Sequence, residues 1–215
     1  DKGETDPDPE PDPGYRVENG AYFVTNVTGL IAWADHVRAG HWDTNCTLEE
    51  EANIDLKDTG NWEPIGTVQT PYTGTFNGNG KTITGLTIDS SSRYVGMFGY
   101  LKGEVTKLTL ASVSITSSWS DKTYAAVGAV AGYITSSSTI NGCSVSGSIT
   151  SEGANSNAGG LVGQNYGTIS NCQVKDLTIK GPKGPSSNGR LGGVVGSNSK
   201  TVEDCHVENL TITNG

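Results

Sequence analysis

Long hydrophobic runs are missing from this chain, and no stretch approaches the roughly twenty apolar residues that span a bilayer. Basic charge is scarce as well. Fourteen Lys and Arg stand against 23 Asp and Glu, for a net charge of -9. No basic stripe exists, which argues against nucleic acid as a partner. The four cysteines, Cys46, Cys143, Cys172 and Cys205, form no CxxC pair, so their spacing does not make a zinc site. Apolar residues make up only 33% and charged residues 17%, which suits neither a helical bundle nor a disordered chain. There is no initiator Met and no secretory leader, and the chain reads as a mature or trimmed form.

What the chain has instead is glycine, 30 residues of it, with abundant Ser, Thr and Asn. Many short strands joined by tight turns have this composition. Its acidic charge is concentrated at the start. Residues 1–14 read DKGETDPDPEPDPG and carry a net -5, leaving -4 for the rest. Alternating acids and prolines have no apolar surface to bury, favour extended polyproline II and repel one another. This segment is expected to be a disordered, semi-rigid tether.

An internal repeat is the dominant signal. Similar segments begin near residues 94, 126, 157 and 190, and the glycine closing the first apolar run of each is Gly99, Gly132, Gly163 and Gly196. The third repeat shows the pattern: Leu161-Val162, then Ile169, Cys172 and Val174, then Leu177 and Ile179. Apolar and polar residues alternate in its later pieces, which is the period of a strand. A unit of about thirty residues cannot bury an apolar face alone, but stacked units can. The fold class that follows is all-β, a right-handed parallel β-helix over residues 46–215.

In such a solenoid like residues stack on like. Leu108, Cys143, Cys172 and Cys205 share one column, Leu110, Val145, Val174 and Val207 a second, and Val105, Ile140, Ile169 and Val202 a third. The cysteines are expected to be free, buried thiols. Upstream, Ile54, Leu56, Ile83, Leu86 and Ile88 alternate in the same way, and Asn77-Gly78 and Asn79-Gly80 mark turns. Residues 15–45 read as an N-terminal cap. Its helix is expected at about 28–39, with Thr28 as N-cap, Leu30, Ile31, Ala34 and Val37 on the apolar face, and Gly40 at its end. The fourth repeat runs to Gly215 without a capping element, so the chain is expected to continue or to be covered by a partner there.

These residues resemble a known family. GGLVGQNYGTISNC at 159–172 is similar to the GLUG motif, a Gly-Leu-X-Gly repeat of bacterial surface proteins. NIDLKDTGNWEPIGT and YTGTFNGNGKTITGLTID, within 53–89, resemble the segment that precedes such repeats. The second repeat departs, with Ala129-Val130-Ala131-Gly132 at the core of the motif. The resemblance implies an adhesin-like protein of the cell surface or a secreted one. An outer-membrane lipoprotein, held through a lipid anchor ahead of the acidic tether, is the favoured form. It supplies no catalytic residues.

The chemistry-bearing candidates are few. Asp204, His206 and Glu208 alternate as on one strand and, with Lys175 one coil away, form the densest polar cluster; it reads first as a solvated outer face, with ligand contact as the alternative. No outward column stacks two carboxylates, as glycoside hydrolysis would need. His41 and Asp43 lack a third metal ligand. Trp119 and Tyr124 sit in a polar loop, SSWSDKTY, inserted between the first two repeats; either Trp119 folds back over the coil, or the pair stands exposed to stack on a sugar or anchor a protein. The expectation is therefore a non-catalytic surface module, an adhesin or stalk, whose partner is a glycan or a host or bacterial surface protein. No cofactor is called for. The alternative is a polysaccharide lyase or glycoside hydrolase on the same fold.

Overall fold

The computed structural model describes residues 12–121, 123–182 and 188–214. Of the expected tether, residues 1–11 lie outside this range. Gly14 belongs to the folded body: it is buried, and its carbonyl accepts from the Thr25 N–H at 2.8 Å.

The chain opens with an antiparallel hairpin of β1 (Tyr15–Glu18) and β2 (Ala21–Asn26) and continues directly into α1 (Val27–Arg38). The N-cap is Asn26, not Thr28: its side chain, on extended backbone, accepts from the Gly29 N–H at 3.1 Å. Thr28 lies inside the helix. Gly40, at φ 117, follows the end. Leu30, Ala34 and Val37 are buried as expected, but Ile31 is exposed and Trp33 takes its place as the centre of the buried face. Trp33 packs on Phe76 at 5.0 Å, on Tyr72 at 5.8 Å and on Phe98 at 6.3 Å between ring centroids, so the helix is seated on the first coils.

From β3 (Cys46–Asp55) onward the structure is a parallel β-solenoid. One face stacks Cys46, Phe76, Val105, Ile140, Ile169 and Val202 in successive layers. The second stacks Ile83, Leu110, Val145, Val174 and Val207. The remaining side consists of two short four-stranded sheets. One of them pairs Tyr94, Ala126, Asn157 and Arg190, which open the four repeats. The other pairs Phe98, Ala131, Val162 and Val195. In-register pairing puts identical surroundings above and below each inward position, which is why the sequence repeats column by column.

Two conformational devices turn the coil. Between the first and second faces one residue per coil is left-handed: Lys107, Gly142, Asn171 and Asp204 all have φ between 50 and 66. Asn and Asp tolerate this region well. The other device explains the repeat glycines. Gly159 and Gly163 flank the reversal between the two short sheets, where successive coils pack backbone on backbone. A Cβ on Gly163 would lie 2.2 Å from the Val127 nitrogen, and one on Gly159 would lie 2.2 Å from the Val162 carbonyl oxygen. The coils stay paired through the turn, with Val130 N–H donating to Leu161 C=O at 3.0 Å and Leu161 N–H to Val194 C=O at 2.9 Å.

The core follows the expected columns. All four cysteines are free; Cys46, Cys143 and Cys172 are buried and Cys205 is half-buried. Cys46 stacks on the first face, while the other three form the column after Leu108 on the way to the second. Their sulfurs are satisfied locally. Cys172 donates to Ser170 C=O at 3.1 Å, and the Cys143 N–H donates to Cys172 Sγ at 3.4 Å.

Candidate functional site

The regular coil spacing has a consequence outside the core. Side chains pointing outward from the short sheets repeat along the axis at the coil rise of about 4.8 Å. On one of these sheets the outward position carries Tyr100 and Tyr133, paired in register. Their rings stack at 4.5 Å and 8°. The next position in register is Gln164, whose amide donates to the hydroxyl of Tyr166 at 3.2 Å. The Tyr166 ring lies back over Tyr133 at 5.3 Å. Tyr94, from the neighbouring sheet, closes the stack at 5.4 Å from Tyr100 and 5.3 Å from Tyr133. All four rings are half-buried. Burial and the neighbouring hydroxyls push Tyr133 well above the ordinary phenol range, and burial raises Tyr94, so these hydroxyls stay neutral near pH 7. Because the inner rings face one another, they present edges and hydroxyls to solvent.

At its Tyr94 end the stack opens into a groove of about 550 Å³. One wall is residues 63–69 of the first coil. Ser91, Ser92, Arg93 and Tyr94 form the second, and Trp119 the third. Trp119 is half-buried, and its Nε1–H donates to Thr123 C=O at 3.1 Å, which ties the indole to its own loop. Arg93 is held at two points. Its Nε–H donates to Tyr124 C=O at 2.9 Å, and its guanidinium carbon lies 5.1 Å from the Tyr94 ring centroid. Val68 at the rim is about half exposed.

Trp119 thus lines the groove. The exposed Tyr124 contributes its backbone carbonyl through Arg93, while its ring lies 5.8 Å from the guanidinium of Arg190. The polar cluster is only partly assembled. His206 and Glu208 lie on the strand His206–Asn214, and Glu208 pairs with Lys175 at 3.7 Å, both about half exposed. Asp204 does not share that strand; it occupies the left-handed corner before it, at φ 50. His36 and His41 stack at 4.0 Å and 2° beside Tyr22. Among the described residues no group of three or more His, Cys, Asp or Glu is placed to hold a metal ion. None of the described helices is long and apolar enough to cross a membrane.

The tyrosines and Arg93 are functional candidates that no sequence motif marks. A signal for them exists: Tyr100, Tyr133 and Tyr166 each follow the last by 33 residues. That is close to the repeat itself, but tyrosines in strands are common enough to be taken for packing.

Comparison with known proteins agrees with this architecture. The GLUG motif matches residues 154–180 and 187–213, the third and fourth repeats. Halomucin of Haloquadratum walsbyi is 33% identical over 166 residues, covering 70% of this chain and 2% of halomucin. A Gly-rich membrane protein of Evansella cellulosilytica, so named provisionally, is 34% identical over 164 residues, covering 75% of this chain and 15% of that protein. The chain therefore spans only a small part of the length of these relatives. One of them is archaeal, so the likeness is not confined to bacteria. Among solved structures, a Bacteroides ovatus protein provisionally named an immunoglobulin A1 protease has a TM-score of 0.57 at 15% identity. The match covers 91% of this chain and 84% of that one, a likeness of fold. The chain is a parallel β-solenoid that carries the GLUG motif in its last two repeats.

Proposed function

We propose that this chain is a non-catalytic, adhesin-like module of a cell-surface or secreted protein, binding a glycan or a surface protein through its lateral face. The observation that carries this reading is the aromatic lane running from the Trp119 groove through Tyr94 to Tyr166, displayed on a rigid, in-register scaffold. Tyr and Trp offer large contact area at low entropic cost and are enriched where proteins bind partners. The relatives named halomucin and membrane protein support a surface or secreted setting. The acidic, proline-alternating start of the sequence is suited to hold such a module away from the surface that anchors it. Glycoside hydrolysis would call for paired acids, and among the described residues Glu63 is the single carboxylate lining the groove.

The test is an array of glycans, mucins and matrix proteins probed with the full chain, alongside Trp119→Ala. Retention of at least one component, weakened in the variant, is expected. If nothing is retained, the adhesive reading fails and a passive spacer is left. Release of reducing ends or unsaturated products from a polysaccharide would overturn the non-catalytic reading.

A further inference from the structure

The groove itself indicates which of the two partner classes it takes. We propose that the groove between Trp119, Tyr94, Arg93 and residues 63–69 is a saccharide subsite, accepting a neutral linear oligosaccharide of about two or three pyranose rings. This rests on the reading of the lateral face as a binding surface and narrows it. The volume of about 550 Å³ lies in the range of ligand clefts. A pyranose has an apolar C–H face and a rim of hydroxyls, and the groove matches both. Trp119 and Val68 supply apolar surface, while Ser91, Ser92, Arg93 and Glu63 supply donors and acceptors.

The key side chains are held before any ligand arrives. Trp119 is tied by its indole N–H, and Arg93 is fixed between the Tyr124 carbonyl and the Tyr94 ring. Little side-chain freedom therefore remains to be lost on binding.

Two features turn the groove away from other partners. Among the described residues its lining holds one cation, Arg93, and one carboxylate, Glu63, so they gather no excess of positive charge with which to capture a polyanion. The backbone running behind the Gly66 wall is already paired between coils. Ile65 N–H donates to Met97 C=O at 3.0 Å, Gly99 N–H to Ile65 C=O at 2.8 Å, and Tyr100 N–H to Gly66 C=O at 3.1 Å. An extended peptide adding to a sheet needs such groups unpaired.

The experiment is calorimetric titration of the full chain with neutral tri- and tetrasaccharides: β-1,4-glucose, β-1,4-N-acetylglucosamine, α-mannose and β-galactose series. One series is expected to bind, with affinity falling roughly tenfold or more in Trp119→Ala and in Arg93→Ala. It should be unchanged in Lys180→Ala, an exposed residue on the second face away from the groove, and each variant's circular dichroism should match the parent. Affinity retained in Trp119→Ala, or lost instead in Lys180→Ala, overturns the subsite. So does the absence of binding in every series. If a protein on the array is still retained in that case, the adhesive module survives without its saccharide groove; if nothing is retained, both readings fall together.

Discussion

At the scale of single residues, the glycines divide into two kinds, those of turns and those where coils pack on each other. Gly80 has φ 74, and a Cβ there would meet nothing within 4 Å. Gly163 has ordinary φ, but its Cβ would meet the Val127 nitrogen at 2.2 Å and the Ala126 carbonyl carbon at 2.6 Å. The neighbours of Gly163 are backbone atoms of the coil beneath and cannot turn aside. Gly80→Ala is therefore expected to cost about 1 kcal/mol, the cost of left-handed backbone alone. Gly163→Ala is expected to cost roughly 3 kcal/mol or more, since two coils must separate. Thermal unfolding of both variants checks this, and equal losses would show that the reversal is looser than it is drawn.

At the scale of elements, the helix cap carries a group sensitive to pH. The His36 imidazole is held below its ordinary value of 6.5, first by burial and then by His41 stacked on it. The unfolded chain consequently takes up a proton more readily than the folded one as pH falls. The resulting contribution is complete above 6.5 and is lost as pH drops below it. His36→Phe keeps a ring against Tyr22 and removes the titration. The melting temperature of the parent is expected to fall more than that of the variant between about pH 7 and about pH 5. Parallel falls would show that other groups govern the acid side. The helix illustrates how propensity is overridden by packing. Apolar spacing places Ile31 on the buried face, but Trp33 turns inward because the first two coils offer Tyr72, Phe76 and Phe98 to receive it.

At the scale of the whole molecule, stability should vary along the axis. Inner coils bury their columns completely: Ile140, Val145, Ile149, Ile169, Val174 and Ile179 are at most 1% exposed. In the last coil the corresponding Val207 and Ile212 are 38% and 42% exposed, and Val202 and Leu210 are partly so. Because each coil is supported only by its neighbours, residues 190–214 should open most readily. Amide hydrogen exchange is expected to run fastest there and slowest in residues 104–170, once solvent-facing amides are set aside. Uniform protection along the axis would mean that the solenoid opens as one cooperative unit.

The repeat period, the inward columns and the open thiols were legible in the amino-acid sequence, because in-register stacking forces every coil to meet the same neighbours. Val105, Ile140, Ile169 and Val202 could be aligned by eye and pair layer by layer. Trp119 could be singled out because its loop interrupts that regularity. The tertiary structure alone decided what surrounds it. Arg93 and Tyr94 open the first repeat, residues 63–69 belong to the coil before it, and both reach Trp119 only through the winding of the chain. Coil length likewise decided that Gln164 falls in register with Tyr133 while Tyr166 folds back to continue the stack. Periodicity is a property of the interior, where each position repeats its partners. A surface groove is built from the departures, the long loops and unequal coils, whose meeting points are set by distance in space.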